Sequence, residues 1–315
     1  MVANTRAGIA IHLRMLEFAS AMVLNYTMTT NVESSNQRAI GWSECIEPRK
    51  VFDSWWQAPS CSPGVRYNTV MSQTTSAITH SPAEIVQNSP VSQAPNGICY
   101  ARSGEITIAD NDLDRMISTV PAPIAASLSR KAYYFVPLTV AQGEDTVIAD
   151  RYDVALSDNA VCHRNLNLGD AQCVFISTRL MEDKFSVAFE FYINVGHALV
   201  ERAGVSQNFA DLAWQQVESG VRGETSLDAW ESRKFAIAHG PDAEKYKNEY
   251  LAASFADAIS IYLLSLYLDV DYYDLRERDY PLLSPAPMAE RLRKIAEIFP
   301  PNPGFEFNIY YKRRV

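Results

Sequence analysis

The chain has 315 residues, of which 47% are hydrophobic and 21% charged, and its formal net charge is −9. That length and apolar content are ample for one large core or two modest ones. The negative balance excludes general nucleic-acid binding, which needs an accessible basic surface, and the short run Lys312-Arg313-Arg314 reads as a solvated tail.

Residues 9–23 form an apolar stretch, but Arg14 and Glu17 interrupt it and make it a poor secretory signal. Residues 5–24 fit an amphipathic helix or a strand equally well. Residues 53–98 are rich in Ser, Thr, Pro, Gln and Asn. Their centre, 68–96, has few large apolar side chains and is expected to be a surface excursion or extended arm. An arm crossing to a neighbouring subunit fits as well. The expected organisation is therefore an N-terminal extension, 1–96, and a globular domain, 97–315.

Regular patterning begins near Gly97. Ile98-Cys99-Tyr100 and Glu105-Ile106-Thr107-Ile108 read as short strands joined by a turn at Ser103-Gly104. Residues 111–118 suggest one or two helical turns. Residues 133–140 are β-branched and aromatic and read as one strand, and 170–178 as another. From 184 to 203, Phe185, Ala188, Phe191, Tyr192, Val195, Ala198 and Leu199 recur at three-and-four spacing, which predicts a helix stopped by Gly204. Further helices are predicted over 207–217, 225–239, 242–268 and 287–299. Thr225, Ser226 or Asp228 would cap the second of these, and Pro300, Pro301 and Pro303 end the last. Residues 269–281 read as an acidic surface loop and 305–311 as a terminal strand. The fold class expected is α+β, with short mixed strands in the N-terminal half and helices in the C-terminal half.

No run of about 18 uncharged apolar residues is present, so no membrane span is expected; residues 252–268 read as a buried helix. Five cysteines, Cys45, Cys61, Cys99, Cys162 and Cys173, leave at least one unpaired in a monomer. Cys45–Cys61 and Cys162–Cys173 are plausible bridges in an oxidising compartment; five reduced thiols are the favoured reading. Asn25-Tyr26-Thr27 is a formal glycosylation triplet that carries little weight alone. Cytoplasm or a virion is thus expected over secretion. Sixteen tyrosines fit either a protein that buries surface against partners or a tyrosine-rich core.

The most informative string is Tyr192-Ile193-Asn194-Val195-Gly196-His197-Ala198-Leu199-Val200. A zinc helix carries His-Glu-x-x-His: two histidines four apart face the ion, and the glutamate polarises its water. Here Ile193 stands at the first histidine position, Asn194 at the glutamate position, and His197 at the second histidine. Ile193 has no donor, and an amide is no general base near neutral pH. A second string, Glu249-Tyr250-Leu251-Ala252-Ala253-Ser254-Phe255-Ala256-Asp257-Ala258, resembles the glutamate-bearing helix of zincin metallopeptidases. Together the two strings, with the strand at 173–176 before the first, resemble a zincin fold over residues 98–265. The resemblance implies that His197 and Glu249 correspond to metal ligands. It departs from the family at 193 and 194, and at the glutamate that supports the metal ligands in that family, where Ala253 or Ser254 stands.

No resident cofactor is expected. Zinc on His197 and Glu249 would need a further ligand, for which Asp211, His239 and Asp257 are available. No phosphate loop, nucleophile elbow or calcium loop is present, and the acidic pairs Glu182-Asp183 and Asp269-Val270-Asp271 read as surface charge. The function expected is a non-catalytic zincin-like binding or structural protein, a pseudoenzyme acting through a protein partner or self-association. The alternatives are a self-assembling shell or coat protein, motivated by the polar arm and the tyrosines, and a metallopeptidase with an unconventional site on His197, Glu249 or Tyr262.

Overall fold

A computed structural model describes residues 76–142, 145–181, 183–238, 240–270, 272 and 280–310 of the chain. The expectations for 5–24, Cys45, Cys61, His239 and most of the acidic loop lie outside the described residues. Mixed α and β structure is present, with strands in the N-terminal half and helices in the C-terminal half.

Residues 77–96, assigned above to the extension, are part of the fold. They supply β1 (Thr79–His80), α1 (Pro82–Asn88) and β2 (Ser92–Gln93). A capping box starts α1: the Glu84 amide donates to Ser81 Oγ and the Ser81 amide to Glu84 Oε2. Polar composition hid this element, which is anchored by the single buried Ile85.

The next elements are β3 (Cys99–Arg102), α2 (Asp110–Ser118), α3 (Ala122–Ser127), β4 (Lys131–Val136), β5 (Leu138–Gln142), β6 (Asp145–Ala149), α4 (Val154–Ser157), β7 (Ala160–Val161), β8 (His163–Leu168) and β9 (Ala171–Ser177). The expected strand over 133–140 is two strands in different sheets. Pro137 lacks the N–H that would continue a ladder, and the chain changes sheet there. Residues 105–108 form no strand. Gly104 turns with φ +73° so close to the Asp150 carbonyl that a Cβ would lie 2.5 Å from it, and Glu105 N–H donates to that same oxygen. Residues 305–310 form no strand either.

One sheet has the order β1-β6-β5-β7 and is antiparallel. The other has the order β2-β3-β4-β9-β8, with β3, β4 and β9 parallel and β2 and β8 antiparallel at its edges. Both faces of this second sheet are covered, as parallel strands require. Ala101, Tyr134, Val136, Cys173 and Phe175 pack with Ile85 and Ile148 on one face. Tyr133, Phe135, Val174 and Ile176 meet the helices on the other.

The helices are α5 (Lys184–Ala203), α6 (Gln207–Glu218), α7 (Leu227–Ile237), α8 (Ala243–Tyr267) and α9 (Pro285–Ile298). Asp183 caps α5 through the Ser186 amide, and Ser226 caps α7. Phe191 of α5 meets Tyr133 edge-on at 4.9 Å, fixing the helix to the sheet. On its other side α5 lies against α8, antiparallel. Ser260 Oγ donates to the Tyr192 carbonyl at 3.1 Å, and a Cβ on Gly196 would lie 2.6 Å from the Ala256 carbonyl. Helix α8 is long and apolar enough to cross a membrane by length and composition, but 78% of that window is buried in the fold. Tyr133, Tyr192, Tyr250 and Tyr262 are fully buried, so much of the tyrosine content belongs to the core.

Candidate functional site

Glu190, Asn194, His197 and Glu201 recur along one stripe of α5. This stripe faces the edge strand β8 and the start of β4. His163 stands opposite Ile176 in the β8–β9 ladder and so shares its face toward α5. Its Nδ1 lies 2.5 Å from Glu190 Oε1. Asn194 Nδ2 donates to the Glu190 carbonyl at 2.9 Å and to its carboxylate at 3.3 Å. Glu190 and Asn194 are both buried. A carboxylate held this way fixes the orientation of the imidazole it meets.

His197 lies one turn beyond Asn194 and retains partial solvent contact. Burial of its imidazole pushes its pKa down to about 4; the nearby His163 and Lys131 add to the shift, and Glu190 opposes it. At neutral pH this histidine is uncharged. Burial, then the charge of Glu190, pushes the Cys162 thiol far up, which removes it as a nucleophile. Cys162 and Cys173 are free thiols packed in clusters on opposite faces of the sheet, so the bridge considered between them does not form.

Glu249, the other residue matched to a ligand, lies on a different surface. It is 46% exposed and pairs with Lys245 at 3.8 Å. Because Gly196 backs onto Ala256, Glu249 stands two turns earlier on α8, about 10 Å along the helix axis. The fold brings the two helices together but does not bring these two side chains together. Of the described further candidates, Asp211 accepts from Gln207 at 2.7 Å and Asp257 from Thr225 Oγ1 at 2.7 Å. Tyr262 donates to the Phe299 carbonyl at 2.7 Å. Among the described residues no three His, Cys, Asp or Glu side chains converge to hold a metal ion. With Ile193 donorless and the Asn194 amide engaged by Glu190, the residues do not fit the zinc site that the resemblance implies.

A second polar cluster, which sequence reasoning missed, ties the helices together. Glu224 is fully buried, with Oε1 2.9 Å from Arg233 Nη1 and Oε2 2.9 Å from Arg291 Nη1. Arg291, also fully buried, donates to Gln216 Oε1 at 2.8 Å and to the Tyr250 hydroxyl at 2.9 Å. Arg233 further donates to the carbonyls of Gly223 and Val221. One carboxylate serves two guanidiniums, and carbonyls, Gln216 and Tyr250 take further donors, which makes the interior charges tolerable. Beside it, burial raises the Asp257 and Asp228 carboxyls to about 6; hydrogen bonds from Ser226 and Thr225 restrain Asp257, and Glu231 adds to the shift of Asp228.

No protein-family model, no curated protein and no solved structure matches the chain.

Proposed function

We propose that the chain is a zincin-like scaffold that has lost its zinc chemistry and acts as a non-catalytic binding or structural protein. The observation that carries this reading is the state of Asn194. It occupies the position of the general base, yet its amide is buried and bonded to Glu190, its own neighbour one turn back. An amide so engaged neither takes a proton from water nor releases one. The succession of strand β9, helix α5 and a second helix α8 packed directly on α5 supports the lineage. Glu249, turned to solvent beside Lys245, supports the loss of the ion.

A protein partner, a second copy included, fits the exposed end of α7 and α8. Phe235 is 52% exposed and stacks on Tyr246 at 4.8 Å, with Ile237 exposed nearby on α7. Aromatic side chains of this kind are enriched at protein interfaces.

The test is metal analysis of purified protein after zinc loading, with a peptide-hydrolysis assay. The expected result is no stoichiometric zinc and no cleavage. One zinc per chain, lost in His197→Ala together with peptide cleavage, overturns the reading. Sedimentation of the wild type and Phe235→Glu then reports on self-association: a concentration-dependent dimer weakened by the substitution makes a second copy the partner.

A further inference from the structure

We propose that the cavity at the carboxyl end of α5 is a binding site for a small, polar molecule bearing an oxyanion, such as a phosphorylated sugar. This site does not depend on the zincin-like ancestry of the helices. The cavity is about 420 Å³, a volume within the usual range for small-ligand sites. Three segments enclose it: the turn from α3 into β4, the β8–β9 turn, and the last turns of α5.

Its charge is opposite to that of the chain. Arg130, Lys131 and Arg202 supply three cations against Asp170 and Glu201, on a protein whose net charge is −9. Lys131 is the decisive group. Its side chain is only 14% exposed, so its stem is packed and its ammonium is held at the cavity wall. The carboxylate that faces it, Glu201, is 3.6 Å away and itself 55% exposed. An ammonium held in place with only a distant, exposed counter-ion gains more from a charge-assisted bond to an oxyanion than a freely moving surface lysine does. Glu201 can swing into water when such a ligand enters. Arg130 and Arg202, both exposed, stand at the rim where they can contact the other oxygens. The carbonyl end of α5 opposes an anion; the Gly204 amide caps the Val200 carbonyl there, and the three cations must outweigh what remains of that field.

The rest of the lining selects what is attached to the anion. Asn167 and Gln172 contribute amides and Ser129 a hydroxyl, the Ser127 hydroxyl donates to the Ile124 carbonyl, and the lining has no aromatic ring. Donors and acceptors without an apolar wall suit a hydroxyl-rich body rather than a fatty or aromatic one. Ala198 forms part of the floor, one residue from His197, and Lys131 lowers the pKa of that imidazole. Filling the cavity with an anion therefore offsets the ammonium's field at His197, which gives a spectroscopic readout.

Isothermal titration with inorganic phosphate, glucose 6-phosphate and glucose tests the site. Saturable binding of both phosphates, tighter for the sugar phosphate, and none of glucose alone is the expected pattern. Lys131→Gln should weaken binding by about tenfold or more, and Arg202→Gln by roughly threefold, with Lys131→Arg close to wild type. In the wild type the His197 ring resonances should move on saturation, with the pKa of His197 rising. Arg202 is exposed, so its variant keeps the test valid if Lys131→Gln fails to fold. Absence of saturable binding at millimolar ligand, or equal affinity in the wild type and Arg202→Gln, overturns the site.

Discussion

Between α7, α8 and α9 the carboxylate of Glu224 meets two guanidiniums, whereas between β8 and α5 the carboxylate of Glu190 meets an imidazole and an amide. Both carboxylates are buried. The helical cluster is densely bonded: Glu224, Arg233, Arg291, Gln216 and Tyr250 share hydrogen bonds, and backbone carbonyls and Glu290 take further donors. The α5 stripe instead runs from the fixed His163–Glu190 pair through His197 to Lys131 and Glu201 at the cavity wall. Such bonding makes a cluster a structural clamp. A polar stripe that ends at an open recess leaves groups able to meet a ligand.

The largest effect should come from the clamp. Glu224→Ala leaves Arg233 and Arg291 buried without their anion, a change that typically costs about 3–5 kcal/mol. Glu190→Ala removes only hydrogen bonds from an imidazole and an amide and should cost about 1–3 kcal/mol. Urea unfolding of both variants at pH 7 measures the difference. Equal losses would erase the distinction between clamp and stripe.

Acid should separate the two regions next. The pKa of His197 is pushed down to about 4 in the fold, below the free-histidine value of about 6.5. Between those values the unfolded chain binds more protons. The contribution of His197 is therefore fully present above about pH 6.5 and is lost as pH falls toward 4, by at most about 1.4 kcal/mol per pH unit. Asp228 and Asp257, raised to about 6, act in the opposite sense. The folded chain holds their protons below about pH 6, so their contribution grows on acidification and is lost as pH rises through 6. In His197→Asn the contribution that opposes the aspartates is gone, and stability should climb more steeply from pH 6.5 to 4.5 than in the wild type. Parallel pH curves for the two proteins would contradict the assigned burial of His197.

Helices were the legible part of this chain. The spacing from Phe185 to Leu199 and the stop at Gly204 predict α5 with its observed bounds, and similar spacing predicts α6 through α9 within a few residues. Edge strand β8 was not anticipated, although His163-Arg164-Asn165-Leu166-Asn167-Leu168 alternates, because its alternate residues are polar and partly exposed. The break at Pro137 has a local cause, the missing N–H of the proline. The sites were less legible, for a different reason. His163 and Glu190 are 27 positions apart and Glu224 and Arg291 are 67, so no local period links them. His197 and Glu249 were paired by resemblance between strings, and strings do not specify which face of a helix meets its neighbour.

The smallest effect concerns that pair. Glu249→Ala should change stability by less than about 0.5 kcal/mol, the range for an exposed side chain in a single ion pair. Its partner Lys245 precedes it by four residues, the less favourable order for a helical pair. At 3.8 Å with both side chains solvated, little Coulomb energy survives screening. His197→Ala, by contrast, opens space beside His163 and the cavity wall and should be felt there. A double-mutant cycle between positions 197 and 249 reads the comparison directly: residues separated by two helical turns and facing different surroundings should give a coupling within about 0.5 kcal/mol of zero. A coupling of about 1 kcal/mol or more, with or without added zinc, would mean that the two side chains share an ion or a contact after all.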